Sequence, residues 1–265
     1  MGEPPGLTSH EEFIETGGGH RMSVRSWRPA GEPRAVLAAV PGTHSQRGYY
    51  ERLATTLAES GIATVAWDRR GRGRSPWHNW FAAPAAAAVD DVGALVSFAL
   101  QHHPARPLFL LGQGDGGVIA TAYTLDAPHA PAGLICESLT LETPASAVAA
   151  RVVAAVASIA PRLPMSRRHR ARATLRACLA DFSLPLLLLH GSADRIALPC
   201  GSGFFHEVAV SRDKTLQIFE SYHHGLLNDR RHEQVEARIR DWILARLDPA
   251  GDRESIGISF INDGS

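Results

Sequence analysis

Cysteine is scarce in this chain: Cys136, Cys178 and Cys200 are the only three. Thiols that far apart match neither a disulfide framework nor a metal-ligand spacing, so idle thiols in a reducing compartment are expected. Net charge is missing too. Lysine plus arginine and aspartate plus glutamate each total 27, which removes the field that nucleic acid or an anionic surface would select. No apolar run approaches the roughly 20 residues of a membrane-spanning helix. Residues 1–8 hold no basic stretch followed by an apolar one, so a soluble, cytoplasmic protein is the expectation. Nothing points to a metal, and the glycines lack the lysine and hydroxyl of a phosphate-binding loop, so no cofactor is expected.

What is present is an ordinary globular composition, 45 % hydrophobic, in a length that α/β folds routinely make one domain. Short apolar runs alternate with amphipathic segments, the rhythm of a mostly parallel sheet with helices on both faces. Residues 21–27 alternate like an exposed early strand. Residues 35–40 are a continuous apolar run, as a buried strand requires; 62–67, 107–111, 133–136 and 184–189 also read as strands, and 215–219 fits a last one. Helical patterning covers 49–60, 89–100, 118–125 and 233–247. Asp90 and Asp91 fall in the first turn of the second of these, where the helix dipole favours acids.

One stretch breaks the rhythm. Between 139 and 180 only helical patterning occurs, including a basic piece at 167–176. An insertion there would sit over the strand ends as a cap, dividing the core into 1–138 and 181–247. The basic piece is either a solvated helix face or a rim that attracts an anion. Residues 248–265 read as a polar, loose tail.

Four segments, in order, resemble the α/β-hydrolase superfamily and within it the monoacylglycerol lipase and lysophospholipase-like group. They are Pro41-Gly42-Thr43-His44-Ser45, the run from Asp68 to Ser75, the run PLLLLHGSADRIALP at 185–199, and His224-Gly225-Leu226-Leu227-Asn228-Asp229. The resemblance spans about 21–247 and implies an α/β-hydrolase fold with Asp194 as the triad acid and His224 as the triad histidine. It also implies an oxyanion hole built from the Thr43 and Asp115 amides. The family order of nucleophile, acid and histidine fits positions 114, 194 and 224. His44, Trp77, Glu137 and His223 are further candidates for contact with a small-molecule or peptide substrate, Glu137 because strand ends face the ligand crevice. Trp80 and Phe81 cluster with Trp77, and His190 reads as a hydrogen-bonded strand-end residue.

The departure is at the nucleophile. Where the family carries G-x-S-x-G, this chain reads Gly112-Gln113-Gly114-Asp115-Gly116. The turn glycines remain, but Gly114 has no atom that can attack a carbonyl. Asp115 lies one position past the site of attack, and its carboxylate would repel an oxyanion. Three readings follow. The first is a proton-transfer enzyme (epimerase, isomerase or lyase) using Asp194, His224 and Asp115, for which the bottromycin-pathway peptide epimerase is a precedent among relatives without the serine. The second is an ester hydrolase carrying an inactivating Ser→Gly at 114, and the third is a binding pseudoenzyme. Oligomeric state stays open.

Overall fold

The computed structural model describes residues 7–16, 19–42, 47–68, 74–75, 85–126, 131–141, 179–247 and 255–261. Its strands are β1 (Thr8–Thr16), β2 (His20–Arg28), β3 (Ala35–Val40), β4 (Ile62–Trp67), β5 (Leu108–Gln113), β6 (Gly133–Glu137), β7 (Leu186–Gly191), β8 (Asp213–Phe219) and β9 (Ser255–Ile261). They form one sheet in the order β1-β2-β4-β3-β5-β6-β7-β8-β9. Strand β2 pairs antiparallel with both β1 and β4, and every pairing from β4 onward is parallel.

The apolar runs become central strands because both their faces are covered. Along β3, Val36, Ala38 and Val40 join one core while Ala35, Leu37 and Ala39 join the other, as a two-residue side-chain period dictates. Helices α2 (Ala85–His102), α3 (Asp115–Asp126) and α4 (Pro199–Val208) pack on the first face through residues such as Leu95, Val118 and Phe205. Helices α1 (Glu51–Ala58) and α5 (His232–Ala245) cover the second through Leu53, Leu57, Ile239 and Trp242. A doubly covered, mostly parallel sheet of this kind is the α/β architecture that the sequence rhythm predicts.

Three expectations are corrected. The tail after 248 is not all loose: β9 pairs with β8 over seven residues, from Asp213↔Ser255 to Phe219↔Ile261. Strand β2 is not exposed, because β1, whose nine residues pair with it in full register, takes the edge. Helix α2 begins at Ala85, so Asp90 and Asp91 lie beyond its first turn. Most of the expected cap, 142–178, lies outside the described residues.

Candidate active site

The parallel strands point their carboxyl ends the same way, and the candidate residues lie in the turns that leave β5, β6, β7 and β8. At the end of β5 the chain reverses into α3 at a single residue, Gly114, whose φ of +56° lies in the left-handed region that a residue with a Cβ enters at a cost. The neighbouring glycines serve a different need, which is space. A Cβ on Gly116 would lie 2.3 Å from the Val40 carbonyl oxygen, and one on Gly112 would lie 2.3 Å from the Gly117 Cα. Gly116→Ala therefore requires backbone to move. It is expected to cost on the order of 3 kcal/mol of stability, read by urea denaturation.

Asp194 lies in the turn after β7 with its side chain buried. Its Oδ1 accepts the Ile196 and Ala197 amides, both at 2.9 Å, and its Oδ2 faces His224 Nδ1 at 2.9 Å and His190 Nε2 at 3.4 Å. Burial alone would raise this carboxyl, but the donors from His190, His224, Ala197 and Ile196 outweigh it and hold Asp194 well below the usual carboxylate range. His190 is locked in turn: its Nε2 donates to the Ala197 carbonyl at 2.8 Å, leaving Nδ1 to accept the Ser202 hydroxyl at 2.7 Å.

His224 follows β8. An ionised Asp194 can only accept, so Nδ1 carries the proton and Nε2 of the neutral ring keeps its lone pair. Burial opposes charging this imidazole. The Asp194 hydrogen bond and charge, with the charges of Glu137 and Asp115, prevail and raise its pKa above the ordinary value. The ring faces the elbow, because a Cβ on Gly114 would lie 3.8 Å from His224 Nε2 and 3.8 Å from Thr140 Cγ2, at ordinary contact distance.

Gln113 escaped the sequence reading, although it sits inside the elbow motif. Its Oε1 accepts the Gly42 amide at 3.1 Å, which fixes the orientation of the side-chain amide. The Nε2 then lies 3.4 Å from His224 Nε2 and donates weakly to that lone pair. Tyr49 and Ser138 escaped it too; both bond to Glu137. No sequence pattern marks the contacts of Gln113 and Tyr49, which join positions brought together only by the fold, while Ser138 is Glu137's neighbour in the chain.

The other candidates separate. Asp115 opens α3, with its amide at the positive end of the helix and its charge felt by His224. Glu137, expected to contact substrate at a strand end, is wholly buried, and its carboxylate accepts the Tyr49 hydroxyl, the Ser138 hydroxyl and the Leu226 amide. The terminal residue of a strand need not point outward when a flanking loop supplies donors on its inner side. His223 is exposed and acts on Asp229, not on the elbow. Thr43, His44 and Trp77 lie outside the described residues, as do Trp80 and Phe81. Among the described residues no group of three or more His, Cys, Asp or Glu could hold a metal ion, and no helix is long and apolar enough to cross a membrane.

The family model described as serine aminopeptidase, S33, matches residues 31–178 and 167–231, most of the chain. The chain belongs to this family. It is an α/β-hydrolase of the monoacylglycerol lipase-like group. Human monoglyceride lipase is 29 % identical over 88 % of this chain and 90 % of its own length. The monoacylglycerol lipase of Mycolicibacterium smegmatis is 24 % identical over 91 % of this chain and 99 % of its own. Among solved structures, a carboxyl esterase from Bacillus coagulans superposes with a TM-score of 0.74 at 15 % identity, covering 91 % of this chain and 99 % of that one. A soluble variant of Saccharomyces cerevisiae monoglyceride lipase does so at 0.73 and 17 % identity, covering 90 % and 95 %. At such identities the likeness is one of fold. Within this serine aminopeptidase family member, the elbow turn is built around glycine.

Proposed function

We propose that this α/β-hydrolase cleaves a carboxylic ester by general-base catalysis, with His224 activating water directly and no acyl-enzyme formed. The observation that carries this reading is the aim of His224: Nδ1 is held by Asp194 at 2.9 Å while Nε2 stands 3.8 Å from the Cβ direction of Gly114. An oriented imidazole whose Nε2 lone pair faces the elbow, engaged only by the weak Gln113 contact at 3.4 Å, is a general base whatever supplies the oxygen. The lipases and esterases among the relatives support an ester as substrate, and none of the contacts described favours proton transfer at carbon over hydrolysis.

In this reading a water oxygen attacks the ester carbonyl carbon while His224 Nε2 takes its proton and Asp194 stabilises the imidazolium. The Asp115 amide supplies one donor to the oxyanion, and the family resemblance implies Thr43 for the other. Collapse breaks the carbon–oxygen bond of the ester, and the departing alkoxide takes the proton back from His224, giving acid and alcohol. The Asp115 carboxylate works against the oxyanion, so turnover is slow.

The test is hydrolysis of a monoacylglycerol and of p-nitrophenyl esters by the unmodified chain beside His224→Ala. The expected result is slow turnover without a burst, cut at least about a hundredfold in the variant. Turnover that survives His224→Ala, or a burst of acyl-enzyme, would sink the proposal. The rate should rise with pH as His224 loses its proton, with a midpoint above the roughly 6.5 of an unperturbed imidazole, because Asp194 raises that pKa.

A further inference from the structure

Glu137 bonds to both sides of the site. Its backbone carbonyl accepts the Gly114 amide at 2.9 Å, which pins the elbow to the end of β6. Its carboxylate accepts the Leu226 amide, two residues past His224, and the next residue repeats the device, since the Ser138 hydroxyl accepts the Gly225 amide at 3.2 Å. The other carboxylate oxygen takes the Tyr49 hydroxyl at 3.1 Å, from the segment that leads into α1. Three loops thus meet on one wholly buried acid. Apolar burial would be the cheaper choice at this position, because an ionised carboxylate removed from water costs several kcal/mol unless donors surround it.

We infer that Glu137 is the positioning residue for His224, an ionised acid that fixes the imidazole against the elbow and supports its protonated form. This deepens the general-base reading by naming a second acid, after Asp194, that adds to the base's strength. The geometry carries two parts of it. The loop holding His224 is anchored to the same residue that anchors Gly114, so the separation of base and elbow is set by one short piece of chain. The three donors, one of them an amide that can only donate, suit the carboxylate form. Burial prevails and leaves the Glu137 carboxyl above the usual carboxylate range, while the Leu226 amide, the charge of His224 and the Tyr49 and Ser138 hydroxyls pull it part of the way back. The charged groups acting on His224 are Asp194 from the turn after β7, Glu137 from β6 and Asp115 from α3. Tyr49 faces Glu137 and is itself pushed well up by burial and by that neighbour, so it stays a donor.

Glu137→Gln separates charge from shape. The amide oxygen can still accept from Leu226 and Ser138, and the new NH2 can donate to the Tyr49 oxygen, so every hydrogen bond has a replacement. The measurement is the titration of the His224 ring followed by 15N NMR in the unmodified chain, in Glu137→Gln and in Tyr49→Phe. It needs no turnover, so it stands even where the ester-hydrolase reading fails. In Glu137→Gln the His224 pKa should fall by about half a unit or more. Tyr49→Phe removes one donor that favours the carboxylate, so a smaller fall is expected there; this variant carries the test where Glu137→Gln does not fold. An unchanged His224 titration in folded Glu137→Gln would mean that the acid is already neutral, and the inference would be overturned.

Discussion

Gly114→Ser is expected to be labelled stoichiometrically by a fluorophosphonate probe that leaves the unmodified chain untouched, and to hydrolyse esters on the order of a thousandfold faster. The reason is geometric. The serine Cβ would meet nothing closer than 3.8 Å, and the atoms at that distance are His224 Nε2 and Thr140 Cγ2. One bond further, a hydroxyl turned toward the ring comes within hydrogen-bond range of the lone pair that Asp194 leaves on Nε2. The backbone already holds the left-handed turn at φ +56°, so the cost is the strain of a side chain there, roughly 1–2 kcal/mol of stability. Gln113 would have to yield the lone pair, but its contact at 3.4 Å is weak. Labelling would place elbow, oxyanion donors and relay in one register. A folded Gly114→Ser chain that resists the probe would remove the basis for any ester chemistry at this site.

The second large effect is expected from Asp194→Asn, tested in the Gly114→Ser background where the rate is easiest to read. The asparagine oxygen would keep the Ile196 and Ala197 amides, since those donors need an acceptor. Its NH2 would then face His224 Nδ1 and turn it from donor to acceptor. The ring proton moves to Nε2, and the base loses the lone pair it works with. A loss on the order of 10^4 in kcat is expected, with the fold intact and KM little changed. The pH profile should move as well. Without the carboxylate, burial acts on His224 unopposed by its main partner, and the ring titrates lower. A variant that retains its rate would show that His224 is oriented by something other than Asp194.

Much of this was legible before any coordinates. Runs such as 35–40 and 184–189 carry their own signal, because a parallel strand covered on both faces is almost wholly apolar. Asp194 and His224 were readable from motif and order together. The edges were not. Strand β1 reads TSHEEFIET and is buried only at Thr16, so its charges resemble a loop. Strand β9 keeps Ile256, Ile258 and Phe260 largely exposed, so nothing in its burial forces an alternating code. Helix α4 carries two glycines that blur the helical period, and its start is marked by Pro199 at the first turn. The contacts that Gln113 and Glu137 make across the fold were out of reach for a different reason. Their partners lie 71 to 111 and 88 to 89 positions away, and only strand register brings them together.

Strand order has a consequence for how the chain is made. From β5 to β9 the spatial sequence repeats the sequence of synthesis, so each new strand can dock beside the one before it. The earlier strands do not share this property, because β3 is made before β4 yet lies between β4 and β5. Assembly there has to wait for a later segment, while the other half advances along a single growing edge. At every stage that edge is open, and until β9 is made it is β8, with Leu216 and Ile218 among its residues. A nascent chain stopped short of 255 would hold β8 as a bare template for pairing with another molecule.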